Sequence, residues 1–195
     1  IEKHLQIMDR YDPEHHVGLL VDEWGTWHDV EPGTNPGFLY QQNTMRDALV
    51  AALSLNAFIR HCDRVVMANI AQTVNVLQAV VLTEGDKMAL TPTYHVFDLY
   101  QAHQDGASAD CFVQSEPVAD GVPQLDATAS VKNGALTLTV ANASADKTAD
   151  VTASLDGFAA KAVSARILTG ATGDYNDFTH TSVAPRAWNG VKLAD

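Results

Sequence analysis

Apolar residues in the first half of the chain switch between helical and extended spacing. Ile1, Leu5 and Met8 recur at helical intervals, and the run ends before Tyr11-Asp12-Pro13, where proline cannot continue a helix. Val17-Gly18-Leu19-Leu20-Val21 is a mostly apolar stretch that stops at Asp22-Glu23, the pattern of a strand buried on both faces. A polar loop with Pro32, Gly33, Pro36 and Gly37 follows. Ala48, Ala52, Leu55 and Ile59 then form one stripe, with Leu49 and Leu53 beside it, which predicts a helix from about Met45 to Cys62. Thr44 and Asp47 provide a start resembling a capping box. Val65 to Gln72 reads as a second buried strand. Thr91-Pro92 offers an N-cap and a proline at the first helical position, opening a helix that runs to about His103. This succession is the grammar of a β/α unit with parallel strands.

After Asp105 the pattern changes. Ala, Ser, Thr, Val, Gly and Asp dominate, and period-2 alternation replaces helical spacing. Asn133-Gly134 predicts a type I′ hairpin turn, followed by a strand with Leu136, Leu138 and Val140. Val151, Ala153 and Leu155, then Val163, Ala165 and Ile167, repeat the alternation. The chain therefore divides into an α/β part, residues 1–105, and an all-β part, residues 106–195, read as an antiparallel β-sandwich.

The chain has 195 residues, 46% of them hydrophobic and 18% charged, enough to bury a sizeable core. Its formal net charge of -12 argues against nucleic acid and anionic membranes as partners and suits a neutral substrate. No apolar run approaches membrane-spanning length, so a soluble protein is expected. The sequence opens at Ile1, inside a helical pattern, as a piece of a longer protein would. Cys62 and Cys111 lie far apart with no ligand spacing, and are expected to be free, mostly buried thiols.

Candidate chemistry centres on Asp22-Glu23-Trp24-Gly25-Thr26-Trp27-His28. A buried strand that delivers a glutamate to its C-terminal end is how a barrel glycosidase presents a catalytic group. Flanking indoles offer apolar faces on which sugar rings stack. Pairing with a lysine or capping a helix is the lesser alternative for Glu23. Neighbours on a strand point to opposite faces, so with Glu23 in the lumen Asp22 faces the surrounding helices and is not the partner acid. Gln72, at the end of the second strand, could present a donor and an acceptor to sugar hydroxyls or merely satisfy loop backbone. His15, His16 and His28 read as loop residues, and Asp174 and Asp177 as turn residues that lack calcium-loop spacing.

Two segments, Val21-Asp22-Glu23-Trp24-Gly25-Thr26-Trp27 and Met67-Ala68-Asn69-Ile70-Ala71-Gln72-Thr73-Val74-Asn75-Val76-Leu77, resemble the C-terminal portion of the α-L-arabinofuranosidases of glycoside hydrolase family 51. Leu168-Thr169-Gly170 and Asn176-Asp177-Phe178 are similar to that family's last strands. The likeness is most specific over residues 17–104. It implies a multi-domain protein, here the last quarter of a (β/α)8 TIM barrel followed by an antiparallel β-sandwich. It implies retaining hydrolysis of terminal α-L-arabinofuranosyl units of arabinan or arabinoxylan. Glu23 would then be the nucleophile on the seventh barrel strand, Trp27 an aromatic bordering the arabinose pocket, and Gln72 the sugar-contacting amide on the eighth strand.

The resemblance calls for no metal and no cofactor. Its partners are an arabinose-containing oligo- or polysaccharide, the missing N-terminal part of the same protein, and further copies in a homo-oligomer. A cytoplasmic location fits the family, with secreted and periplasmic ones left open. The family's acid/base glutamate, in an Asn-Glu pair on the fourth strand, has no counterpart in this chain, so the chain alone is expected to be inactive. Two strands cannot close a barrel, and their inward faces, Val21 and Ile70 among them, are expected to be open apolar surface. Competing readings are another retaining barrel glycosidase, such as a β-xylosidase or endoglucanase, and a non-catalytic carbohydrate-binding or structural sandwich fragment.

Overall fold

The computed structural model describes residues 1–194. The helix α1, Glu2–Tyr11, ends where Asp12 donates its N–H to the Met8 carbonyl. Strand β1, Leu19–Trp24, pairs in parallel with β2, Val65–Ile70, and α2, Met45–Arg60, connects them. Thr44 caps α2, and the Asp47 carboxylate reaches back to the Thr44 N–H at 2.8 Å, a full capping box. Such caps contribute about 1 kcal/mol each.

The start of the parallel pair is tied to α1 by one buried cation. Arg64, 1% exposed, donates to Asp12 Oδ2 at 2.6 Å, Asp9 Oδ1 at 3.2 Å and the carbonyls of Asp12 and Val17. The Val17 N–H first, with Arg64 adding to it, holds the Asp12 carboxyl well below the usual carboxylate range.

Beyond β2 the sequence pattern misses an element. An antiparallel hairpin, β3 (Val81–Glu84) and β4 (Lys87–Leu90), turns at Gly85 before α3, Pro92–Tyr100. Its four-residue strands are too short to raise a periodic signal. α3 packs on α2 around Met45, Ala48, Ala51, Val96 and Tyr100, and Val183 from the far end of the chain completes this cluster. Asn56, Asp126 and Arg60 link α2 to the later sheet through bonds of 2.6 and 2.8 Å.

The strands after α3 form small open sheets. Strands β5 (Ala107–Ala109), β8 (Leu125–Lys132) and β9 (Ala135–Asn142) make one antiparallel sheet. Asn133 and Gly134 both have positive φ, as the type I′ turn between β8 and β9 requires. Strand β6, Pro117–Ala119, pairs with β7, Val122–Pro123, and β10, Arg166–Ile167, pairs with β11, Arg186–Ala187. The strand expected through Val151, Ala153 and Leu155 does not form. That stretch is exposed and finds no partner edge among the described residues, and alternation without a partner does not make a strand. Of the segment through Val163, Ala165 and Ile167, only β10 pairs.

The apolar surface of the β1–β2 pair also differs in place from expectation. Val21 and Ile70 are half-buried, whereas Leu20, Val66 and Met67 are 50%, 63% and 49% exposed. Register shifts on either side of Leu20-Val21 break the simple alternation that pointed to Val21 and Ile70. Cys62 is exposed, not buried, because it lies in the turn after α2. No helix of the described residues is long and apolar enough to cross a membrane.

Candidate active site at the strand ends

Parallel pairing brings the carboxyl ends of β1 and β2 to one edge. Trp24 lies opposite Ile70, and the Ala71 N–H donates to the Trp24 carbonyl at 3.1 Å, one rung beyond the strand. Glu23 therefore stands one residue before that rung and Gln72 one residue after it. Both are exposed. β2 ends at Ile70, so Gln72 sits on the first loop residues and not on the strand itself. The Ala71–Gln72 peptide is cis.

The two tryptophans part company. Trp24 is no sugar platform. Its indole stacks on Phe97 at 6.0 Å and meets Phe58 edge-on at 5.3 Å, inside the α2–α3 core. Glu23, the residue before it, is exposed and lies outside this core. Trp27, in the loop after β1, is 70% exposed and available as an apolar wall.

A network of buried polar side chains lies beneath this edge. Gln78, 1% exposed, donates its amide to the Trp24 carbonyl at 3.3 Å and the Ala71 carbonyl at 3.1 Å. The Thr26 hydroxyl donates to Asp47 at 2.6 Å and lies 3.1 Å from the Gln78 amide oxygen. Gln41 accepts from the His28 N–H at 2.8 Å and donates to Thr26. Asn43 donates to the Gln78 carbonyl and to Thr93, at 3.0 and 2.7 Å. Asp47, fully buried, thus holds both the start of α2 and the loop after β1, with the His28 ring 3.8 Å away.

The sequence pattern marks Asp47 only as a cap and does not single out Gln41, Asn43 or Gln78. A signal for Gln78 existed: one polar side chain within the apolar run Val76 to Leu82.

The C-terminal segment closes on the same region. Thr44 bridges Tyr175, and the N–H groups of Met45 and Arg46 donate to the carbonyls of Asp174 and Thr172. Asp174 and Asp177 serve as turn formers. The Asp177 carboxylate accepts from Thr179 and His180, which holds it well below the usual carboxylate range. Burial first, then Glu31 and Asp177, raises the Tyr40 hydroxyl. No cluster of three or more His, Cys, Asp or Glu side chains fit to hold a metal occurs among the described residues.

The parallel strand pair thus carries a glutamate and an amide at its carboxyl edge and is followed by small antiparallel sheets. The description "Alpha-L-arabinofuranosidase C-terminal domain" matches residues 22–195. The chain is 46% identical, over 99% of its length, to an intracellular exo-α-L-arabinofuranosidase of Bacteroides ovatus, and covers 39% of that protein. The crystal structure of the family 51 arabinofuranosidase from Xanthomonas axonopodis pv. citri superposes on all of the chain with a TM-score of 0.96 at 48% identity, 41% of that structure being covered. A thermostable family 51 α-L-arabinofuranosidase from Thermotoga petrophila shares the fold, with a TM-score of 0.78 at 24% identity over 95% of the chain and 41% of its own. The chain belongs to the α-L-arabinofuranosidases of glycoside hydrolase family 51, whose C-terminal portion it matches. It spans about two fifths of the length of these relatives.

Proposed function

We propose that this chain carries the nucleophile of a retaining α-L-arabinofuranosidase. Residues 1–105 are the closing quarter of a (β/α)8 barrel and residues 106–195 a β-sandwich domain. The carrying observation is the shared carboxyl edge of β1 and β2, which sets Glu23 and Gln72 on either side of the Trp24–Ala71 rung. The names of its relatives, arabinofuranosidases from several organisms, supply the substrate class.

The chemistry follows from the residues. The ionised Glu23 carboxylate attacks the anomeric carbon of a terminal arabinofuranoside and forms an acyl–sugar ester. The glycosidic C–O bond breaks, and the leaving oxygen takes a proton from a second carboxylic acid. Water then attacks the same carbon, gives its proton to that second group, and releases arabinose and free Glu23. The second carboxyl must stand about 5–5.5 Å from Glu23. Asp22, the neighbour of Glu23 on the same strand, is not assigned this role. The acid/base is assigned to barrel strands outside these 195 residues, and the remainder of the barrel would cover the exposed apolar side chains of β1 and β2, Leu20, Val66 and Met67. The isolated chain is accordingly inactive, and the complete enzyme is read as a homo-oligomer. Trp27 walls the sugar and Gln72 hydrogen-bonds its hydroxyls.

The test is chemical rescue in the full-length enzyme. Glu23→Ala removes nearly all turnover, and azide, filling the vacated space, yields a glycosyl azide of inverted configuration. Rescue with retained configuration would assign Glu23 to the acid/base role and refute the proposal.

A further inference from the structure

Gln78 is neither in the pocket nor on a strand, yet it touches both strand ends. Its amide nitrogen carries two hydrogens, and two carbonyls receive them: Trp24 at 3.3 Å and Ala71 at 3.1 Å. Trp24 directly follows Glu23, and Ala71 directly precedes Gln72. The Gln72 carbonyl is held in turn by the Val80 N–H at 3.3 Å. Three further observations show that the amide is built in. Gln78 is 1% exposed. Its backbone carbonyl is gripped by Asn43 at 3.0 Å. Gly25 has a φ of +136°, and a Cβ there would lie 1.3 Å from the Gln78 amide nitrogen. A glycine after Trp24 is therefore what lets the amide reach between the strands.

We propose that Gln78 is a positioning residue that sets the spacing of Glu23 and Gln72. This rests on the reading of those two residues as nucleophile and sugar-binding amide. Past Ala71 the ladder no longer defines how far the two chains diverge, and side chains on loops drift unless something buried holds them. The Gln78 amide supplies one more rung at that point. It is neutral, so it adds no charge beside a carboxylate that has to attack as an anion. Its oxygen, near Thr26, ties the same rung to Asp47 and hence to the start of α2.

The experiment uses the full-length enzyme and an aryl α-L-arabinofuranoside, with Glu23→Ala run in parallel. Gln78→Met keeps the length and removes both donors. Gln78→Glu keeps the shape but turns a carboxylate toward two carbonyls. The folded Met variant is expected to lose on the order of 10- to 100-fold in kcat, with KM changed less, the penalty of a small misplacement of reacting groups. The Glu variant is expected to be worse at neutral pH. Its activity relative to wild type at the same pH rises as the pH falls, because the protonated carboxyl regains a donor, while the ratio for the Met variant stays flat. A purely structural role would move melting temperature but not these ratios. Wild-type kcat in folded Gln78→Met, or a Gln78→Glu ratio independent of pH, overturns the proposal, and the Glu series decides alone where the Met variant does not fold. Turnover surviving in Glu23→Ala would instead refute the functional reading itself.

Discussion

The two edges of the β1–β2 pair are held by opposite kinds of chemistry. At the amino edge a buried guanidinium, Arg64, gathers two carboxylates and two carbonyls from the α1 region. At the carboxyl edge a neutral amide, Gln78, bridges two carbonyls. Barrel enzymes work at the carboxyl edge and stabilise at the amino edge. A cation is suited to the amino edge because anions are there to match it. If Glu23 is the nucleophile, as proposed, a cation beside it would pair with the attacking carboxylate, whereas a neutral clasp leaves it free. The contrast separates stability from function by position along the same two strands.

The separation can be broken from either edge. The largest stability effect is expected at the amino edge. Arg64→Met leaves Asp12 and two backbone carbonyls without the buried cation that gathers them and should lower the unfolding free energy. Denaturant unfolding of the full-length enzyme measures this, and kcat of the folded variant should be unchanged. A comparable fall in kcat would show that the edges are not independent.

At the carboxyl edge the balance should invert. Gln72→Ala is expected to cost about 1–3 kcal/mol of transition-state binding on an aryl arabinofuranoside, with little loss of stability, since Gln72 is exposed. Unchanged kinetics would place Gln72 outside the pocket.

Gln72 stands out in the sequence because it ends an apolar run, although the strand stops two residues earlier at Ile70. Helical periodicity marks α1 and α2, apolar runs mark β1 and β2, the Thr91-Pro92 cap marks α3, and Asn133-Gly134 marks its hairpin. The β3–β4 hairpin stayed hidden because its strands are shorter than a periodic window. Trp24 looked like a partner of Trp27 in sugar binding, but strand alternation turns it into the core beside Phe58 and Phe97. Val151 to Leu155 alternates correctly and still forms no strand, since pairing depends on an edge elsewhere in the chain. Gln78, Gln41 and Asn43 act through contacts many residues away, which no local pattern encodes.

The smallest effect is expected far from both edges. His103 is buried between the Ser130 and Thr139 hydroxyls, at 2.8 and 2.6 Å, and burial lowers its pKa from the usual 6.5. The folded protein thus favours neutral His103. Its contribution to stability is complete above the unfolded value of about 6.5 and is lost as pH falls through the lowered folded value. His103→Asn should flatten part of the fall in melting temperature between neutral pH and pH 5, a window read by thermal unfolding in matched buffers. An unchanged slope would mean that other groups set the acid limb.

The central claim is that Glu23 forms the bond to the sugar. Incubating the full-length enzyme with an arabinofuranoside bearing fluorine at C2 and a good leaving group should trap the ester, because fluorine slows its hydrolysis. Peptide mapping by mass spectrometry should then find the added sugar on the peptide containing Val21 to Trp27, with fragmentation placing it on Glu23. A sugar attached to any other residue, or an enzyme inactivated without a covalent adduct, would contradict the account.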